Sequence, residues 1–182
     1  TGDGSTFLLS GHKWFTSAPM NDVFLVLANA EAGMTCFVVP RVLPDGTRNP
    51  FTIVRLKDKL GNRSNASSEI EFHDTIGHRL GPEGHGIRTI IEMVSATRSD
   101  CILGSSAIMR KALNEALWHT QHRSAFGAKL VDKPAMANVL ADLAIESEAA
   151  TLLGMRLAAA ADRPGDEHEQ ASRRIGLAIG KF

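Results

Sequence analysis

Gly81-Pro82-Glu83-Gly84-His85-Gly86 marks the point where the chain changes its hydrophobic period. Upstream, apolar residues come in short runs: TFLLSGHKWF (6–15), VFLVLAN (23–29), MTCFVVP (34–40), FTIVRL (51–56) and SEIEF (68–72). Turn-rich segments such as Ala18-Pro19-Met20-Asn21-Asp22 and Pro44-Asp45-Gly46 separate them. Short strands at this spacing predict an antiparallel barrel or sandwich. Residues 23–27 are apolar throughout, as suits a strand covered on both faces.

Downstream, Ile87, Ile90, Ile91 and Val94 recur at helical spacing, and the pattern continues through Ile102, Met109, Leu113 and Leu117. Glycines and serines interrupt it, which close helix packing tolerates. A break is expected around Phe126-Gly127-Ala128. A second helix should start near Pro134, capped by Asp132, because proline lacks the N–H that would go unpaired in a first turn. Met136, Val139, Leu140, Leu143, Leu153 and Leu157 mark its expected buried face. Arg163-Pro164-Gly165-Asp166 should end it, and a third helix should run from Glu167 past Lys181-Phe182. Strands first and helices afterwards predict an α+β protein: an antiparallel β-barrel or sandwich domain over residues 1–80, then part of an antiparallel helical bundle over residues 81–182. The glycine-rich junction suits a tight turn into a helix, and its helix-opening position also suits a phosphate. No G-x-G-x-x-G follows a strand.

Lysine plus arginine equals aspartate plus glutamate, 20 against 20, and 43% of residues are hydrophobic. A sizeable core is within reach, and the balance gives no electrostatic case for nucleic acid or an anionic membrane. No apolar run approaches the roughly 20 residues that span a bilayer. No signal peptide is visible at Thr1, and the absence of an initial methionine leads us to expect preceding residues. Cys36 and Cys101 lack metal-ligand spacing and are expected to be buried free thiols in a reducing cytoplasm. The seven histidines show no ligand spacing except His119 and His122, three apart on a helix. Gly104-Ser105-Ser106 lacks the strand-to-helix setting of a nucleophile elbow.

Six segments in order carry a resemblance. Gly11-His12-Lys13-Trp14-Phe15-Thr16 is similar to G-x-K-x-W-I-T of the acyl-CoA dehydrogenases. Cys36 to Pro40 is similar to the strand T-x-F-x-V. Leu60-Gly61-Asn62-Arg63-Ser64 resembles M-G-x-R-x-S, and Glu69-Ile70-Glu71-Phe72 resembles E-L-x-F. The Leu80 to Gly86 segment resembles L-G-x-x-G-x-G. His122-Arg123-Ser124-Ala125-Phe126-Gly127 resembles E-R-x-x-F-G. The wording from Leu56 to Ser67 and from Pro40 to Gly46 is similar to the AidB-type subgroup, associated with the adaptive response to alkylation damage.

The resemblance implies a β domain followed by helices, an FAD cofactor, a homo-oligomer and an electron-transfer acceptor. It places Trp14, Phe15, Thr16 and Ser17 beside the flavin, and brings Arg123 and Phe126 to the FAD of a neighbouring subunit. It places Thr97 and Arg98 at the acyl pocket. The residues themselves leave alternatives open. Trp14 offers a broad apolar face and one N–H, which fits a flavin wall or a core. Arg123 suits a pyrophosphate or the end of a helix. Arg98, if buried, needs a partner such as Asp100 or Glu92. Lys133-Pro134 stands where many members have F-Q, so that glutamine contact is lost. One branch carries its catalytic glutamate at Thr97, which cannot act as that base, so the base is expected beyond Phe182.

The activity implied is α,β-dehydrogenation of an acyl-CoA thioester: a carboxylate takes the α proton, hydride goes to flavin, and hydrogen bonds polarise the thioester carbonyl. The rival is an AidB-like flavoprotein that binds double-stranded DNA, with any basic face in a part beyond this stretch. A third option is a scaffold without activity.

Overall fold

The computed structural model describes residues 4–180. The first half is one curled, five-stranded antiparallel sheet: β1 (Thr6–Thr16), β2 (Val23–Ala30), β3 (Gly33–Pro40), β4 (Phe51–Leu56) and β5 (Ser68–Leu80). Strand β5 organises it. One edge pairs with β1 along nearly its whole length. The other edge is divided: residues 68–72 pair with β4, and residues 78–80 pair with β3. Strand β2 completes the sheet against β3.

A strand with two partners on one edge leaves backbone groups uncovered at the handover, and buried backbone groups must be paired. Asn49 fills this gap. Its side chain is buried. Its amide donates to Pro40 O at 2.7 Å and Ile76 O at 2.8 Å, and its Oδ1 accepts from Ile76 N at 2.8 Å. Thr75, fully buried, donates to Pro50 O at 2.6 Å beside it.

The sequence predicts a strand ending at Phe72, but β5 continues to Leu80. His73-Asp74, just past that expected end, form a bulge: Leu9 pairs with Thr75 while Gly11 pairs with Phe72. Asp74 takes a φ of 52°, and Ser10 Oγ donates to its carboxylate at 2.7 Å. The extra residue moves the inward set from Ile70 and Phe72 to Thr75 and Gly77, so both halves of β5 still face the core. That core holds Leu9, Val26, Phe37, Val39, Ile70 and Phe72. Phe7 meets Phe37 edge-on at 5.1 Å between centroids, and Phe24 meets Phe51 at 5.4 Å.

The second half is helical: α1 (Gly86–His122), α2 (Pro134–Ala161) and α3 (Glu167–Ile179). The first compact unit ends at Glu92, inside α1, because the start of this helix packs on β3. A Cβ at Gly86 would lie 2.5 Å from Thr35 C, so only glycine permits that approach. Farther along α1, Ile102, Ser106, Leu113 and Thr120 form the buried stripe, and Ile102 packs with Leu157 of α2 and Leu177 of α3. Several expected core positions are exposed, namely Ile87, Ile91, Met109, Val139 and Leu143. Periodicity marks every apolar position, whereas within these residues only one stripe per helix meets a partner.

Asp132 does not cap α2. It lies in a 3-10 turn (Leu130–Asp132), and Lys133 holds the N-cap position without a side-chain bond. Asp166 does cap α3, accepting from His168 N and Glu169 N at 2.9 and 3.1 Å. Helix α3 ends at Ile179, with Gly180 as its C-cap. Lys181 and Phe182, through which the helix was expected to run, lie outside the described residues. Cys36 is buried, and burial raises its thiol pKa, whereas Cys101, expected to be buried, is exposed on α1.

Helices α2 and α3 are tied by a nearly buried carboxylate. Glu169 accepts from Arg156 at 2.6 Å and Arg163 at 3.0 Å, and these cations, Arg156 first, hold its pKa down. Asn49→Ala leaves three backbone groups without partners and should cost at least about 2 kcal/mol, read from the denaturant midpoint. Because the folded pKa of Glu169 lies below the unfolded value of about 4.3, its stabilisation is complete above that value and disappears as pH falls through the folded pKa. Glu169→Gln should therefore lower stability at neutral pH and flatten the acid limb of a stability-against-pH curve.

Candidate functional site

The aromatic end of β1 is shaped by two bulges facing each other across β5. On β1, Lys13 pairs with Ile70 and Thr16 with Ser68, so Trp14 and Phe15 share the space opposite Glu69. On β4, Ile53 pairs with Ile70 and Arg55 with Glu69, so Val54 is extra. A bulge re-aims side chains. Here it leaves Trp14 59% and Phe15 60% exposed, outside the phenylalanine core of the sheet.

Around Glu69 the bulges gather a charged cluster. The Glu69 side chain is only 5% exposed. One of its oxygens accepts from Lys57 Nζ at 2.5 Å and from Arg55 Nε at 2.7 Å. His12 Nε2 stands 3.9 Å from the other oxygen, and His12 Nδ1 is 3.4 Å from Glu71. The Lys57 hydrogen bond, with Arg55 behind it, holds the Glu69 pKa below the usual carboxylate range against the opposing effect of burial. The same ammonium sits 3.3 Å from the centroid of the Trp14 ring and 4.4 Å from that of Phe15. The Arg55 guanidinium is 5.5 Å from the Trp14 centroid. A cavity of about 340 Å³ opens here, lined by Trp14, Phe15, Arg55, Leu56, Lys57, Asp58 and Glu69. Among the described residues, the hydroxyls of Thr16 and Ser17 have no hydrogen-bond partner, which leaves them available to a ligand. A larger cavity of about 550 Å³ in the same sheet is lined by Pro19, Met20, Arg41, Arg48 and Phe51, among others, and includes none of Trp14, Phe15, Thr16 or Ser17.

Arg123 and Phe126 belong to the helical unit. Arg123 follows the last residue of α1, donating its N–H to His119 O at 2.9 Å. A two-residue hairpin follows, β6 (Ser124–Ala125) against β7 (Ala128–Lys129). Its turn residues Phe126 and Gly127 both take positive φ, 53° and 79°, as the tight hairpin turn requires. Phe126 is thereby 95% exposed, and Lys133 Nζ holds its carbonyl at 2.9 Å. The Arg123 guanidinium has no ion-pair partner among the described residues. Thr97 and Arg98 both lie exposed on α1. The Thr97 hydroxyl donates to Val94 O at 2.8 Å. Arg98 is not the buried, paired arginine considered from sequence, and the carboxylates of Glu92 and Asp100 make no ion pair with it.

His122 stacks on Trp118 at 4.6 Å and contacts the Trp118 carbonyl through Nδ1. Among the described residues no group of three or more His, Cys, Asp or Glu is placed to hold a metal, and no helix is long and apolar enough to cross a membrane. Nothing in the sequence alone assigns a role to Lys57, Arg55 or Glu69. The available signal was an acidic residue flanked by inward-facing Ser68 and Ile70 on a strand.

The Acyl-CoA dehydrogenase, middle domain model matches residues 1–75, and the Acyl-CoA dehydrogenase, C-terminal domain model matches residues 84–174. The chain is 51% identical to Escherichia coli AidB over 180 residues, covering 99% of this chain and 33% of that protein. It is 31% identical to the bovine mitochondrial short-chain specific acyl-CoA dehydrogenase, covering 86% and 39% respectively. The Caenorhabditis elegans ACDH-11 structure in complex with C11-CoA superposes with a TM-score of 0.88 at 26% identity, over 100% of this chain and 33% of that one. The chain spans about a third of the length of the curated relatives it matches. With both domain models matched in chain order, on a curled antiparallel sheet followed by helices, this chain belongs to the acyl-CoA dehydrogenase family.

Proposed function

We propose that the protein containing this chain is an FAD-dependent oxidoreductase that dehydrogenates acyl-CoA thioesters between the α and β carbons. Residues 1–80 form the middle β domain in this reading, and residues 81–182 begin the C-terminal helical domain. One observation carries it: beside the bulge that turns Trp14 outward, the Thr16 and Ser17 hydroxyls have no hydrogen-bond partner among the described residues. An isoalloxazine needs such a wall and such donors. FAD, when bound, supplies the hydride acceptor.

The chain's own contribution is to bind and orient. Trp14 and Phe15 give the apolar surface. Thr16 and Ser17 donate hydrogen bonds to the ring's polar edge. Arg123 and Phe126, on their exposed hairpin, reach the FAD of a second copy in a homo-oligomer, where the free guanidinium grips a pyrophosphate. Thr97 and Arg98 line the acyl pocket. The substrate is an acyl-CoA, and an electron-transfer acceptor reoxidises the cofactor. ACDH-11, whose structure contains C11-CoA, supports the substrate class.

The proton must go to a carboxylate, and we assign that role to none of the described residues. Thr97 has no ionisable group. Glu115 is held by Lys111, whose hydrogen bond lowers its pKa and weakens it as a base. A second reading draws on the identity to AidB: a flavoprotein with little acyl-CoA turnover that binds double-stranded DNA. The Lys133-Pro134 departure bears on how the cofactor is held, and DNA binding would need a basic face outside this charge-balanced stretch.

In the full-length protein, Trp14→Ala should weaken FAD binding by about 2- to 10-fold and shift the flavin absorbance bands. Unaltered affinity and spectrum would remove the wall from the reading. A polypeptide of residues 1–182, mixed with FAD and short-chain, branched or long-chain acyl-CoA, should leave the flavin oxidised. Rapid substrate-dependent bleaching would show that the base lies within this chain.

A further inference from the structure

We propose that Glu69 is a positioning residue that seats the Lys57 ammonium on one face of the Trp14 ring, closing that face and leaving the opposite face as the binding wall. This rests on the reading of Trp14 as the flavin wall and adds how that wall is fixed. Lysine carries a flexible four-carbon stem, and an exposed lysine samples many rotamers. Lys57 does not have that freedom, since its side chain is 8% exposed. Three groups hold its ammonium: the Glu69 carboxylate at 2.5 Å, the Trp14 ring at 3.3 Å and the Phe15 ring at 4.4 Å. The carboxylate supplies the charge without which a nearly buried cation would not be tolerated. The rings supply the negative faces that attract the cation.

The geometry has a direction. Lys57 rests on the Trp14 ring, while Arg55 at 5.5 Å and the tilted His12 ring at 6.5 Å stand farther off, and Trp14 remains 59% exposed. A planar ligand therefore cannot insert where Lys57 sits without breaking the Glu69 pair, and the uncovered surface of the indole is what remains for it. Fixing the ring before a ligand arrives lowers the ordering cost of binding. The two facing bulges are what allow this: each re-aims its strand at Glu69, bringing Trp14 and Phe15 from β1 and Arg55 from β4 to one carboxylate.

The test uses the full-length protein with Glu69→Gln, Lys57→Met and Lys57→Arg, each also made on a Trp14→Phe background so that the Trp14 fluorescence is obtained by difference. In the FAD-free protein, Glu69→Gln and Lys57→Met should raise acrylamide quenching of Trp14, and Lys57→Arg should retain the protection. FAD dissociation should follow the same order, about 2- to 30-fold weaker for the first two and restored by arginine. Lys57→Met leaves Arg55 paired with Glu69, so the two Lys57 variants decide the matter alone if Glu69→Gln does not fold. Trp14 quenching that is the same in Lys57→Met as in the parent overturns the proposal. If quenching rises while FAD affinity and spectrum stay fixed in both Lys57→Met and Trp14→Ala, the cation seat stands and the flavin wall fails.

Discussion

One edge of β5 serves two strands, and the β domain depends on how that conflict is settled. A strand can offer its backbone groups to one neighbour per edge at any point along its length. Strand β5 gives residues 68–72 to β4 and residues 78–80 to β3. The handover would expose buried polar groups if Asn49 did not mimic a strand, donating to Ile76 O and accepting from Ile76 N. Because that side chain closes the seam, the sheet can curl around a single core of phenylalanines and branched aliphatics. Pairing on both edges of β5, with β1 on one and β4 on the other, puts these strands on opposite sides of Glu69.

Periodicity made the plan of the molecule legible. Alternating and continuous apolar runs placed the strands, and the change of period after Gly86 placed the helices, because burying one face of an element imposes its repeat on the sequence. What stayed hidden depends on single tertiary contacts. Asn49 reads as one more polar loop residue, and His73-Asp74 reads as a strand end although Ser10 stitches it into a bulge. Asp132 has the composition of a cap but not its position, since the 3-10 turn moves the helix start past it. Composition cannot tell a cap from a residue one place away.

The candidate site divides in the same way. Trp14, Phe15, Thr16, Ser17 and Phe126 were named as candidates through motif order, and the structure leaves the three aromatic rings exposed. The cation cluster beneath Trp14 was not, because Lys57 and Glu69 are 12 residues apart and meet only through the pairing of β4 with β5. Overall charge balance also concealed it. Twenty basic and twenty acidic residues cancel in the sum, while two cations converge on one nearly buried carboxylate.

The two nearly buried glutamates show why the same arrangement can serve different ends. Glu169 and Glu69 each accept from two cations, and both have depressed pKa values for that reason. Around Glu169 both cations are arginines, Arg156 on α2 and Arg163 in the connection to α3, whose planar forks suit fixed hydrogen bonds. At Glu69 one of the two is a lysine, a compact charge that can rest on the centre of a ring. An arginine pair is sufficient to tie elements together. A lysine held between a carboxylate and two exposed aromatic rings does more than tie: it fixes the charge and the orientation of a surface that remains open to a ligand.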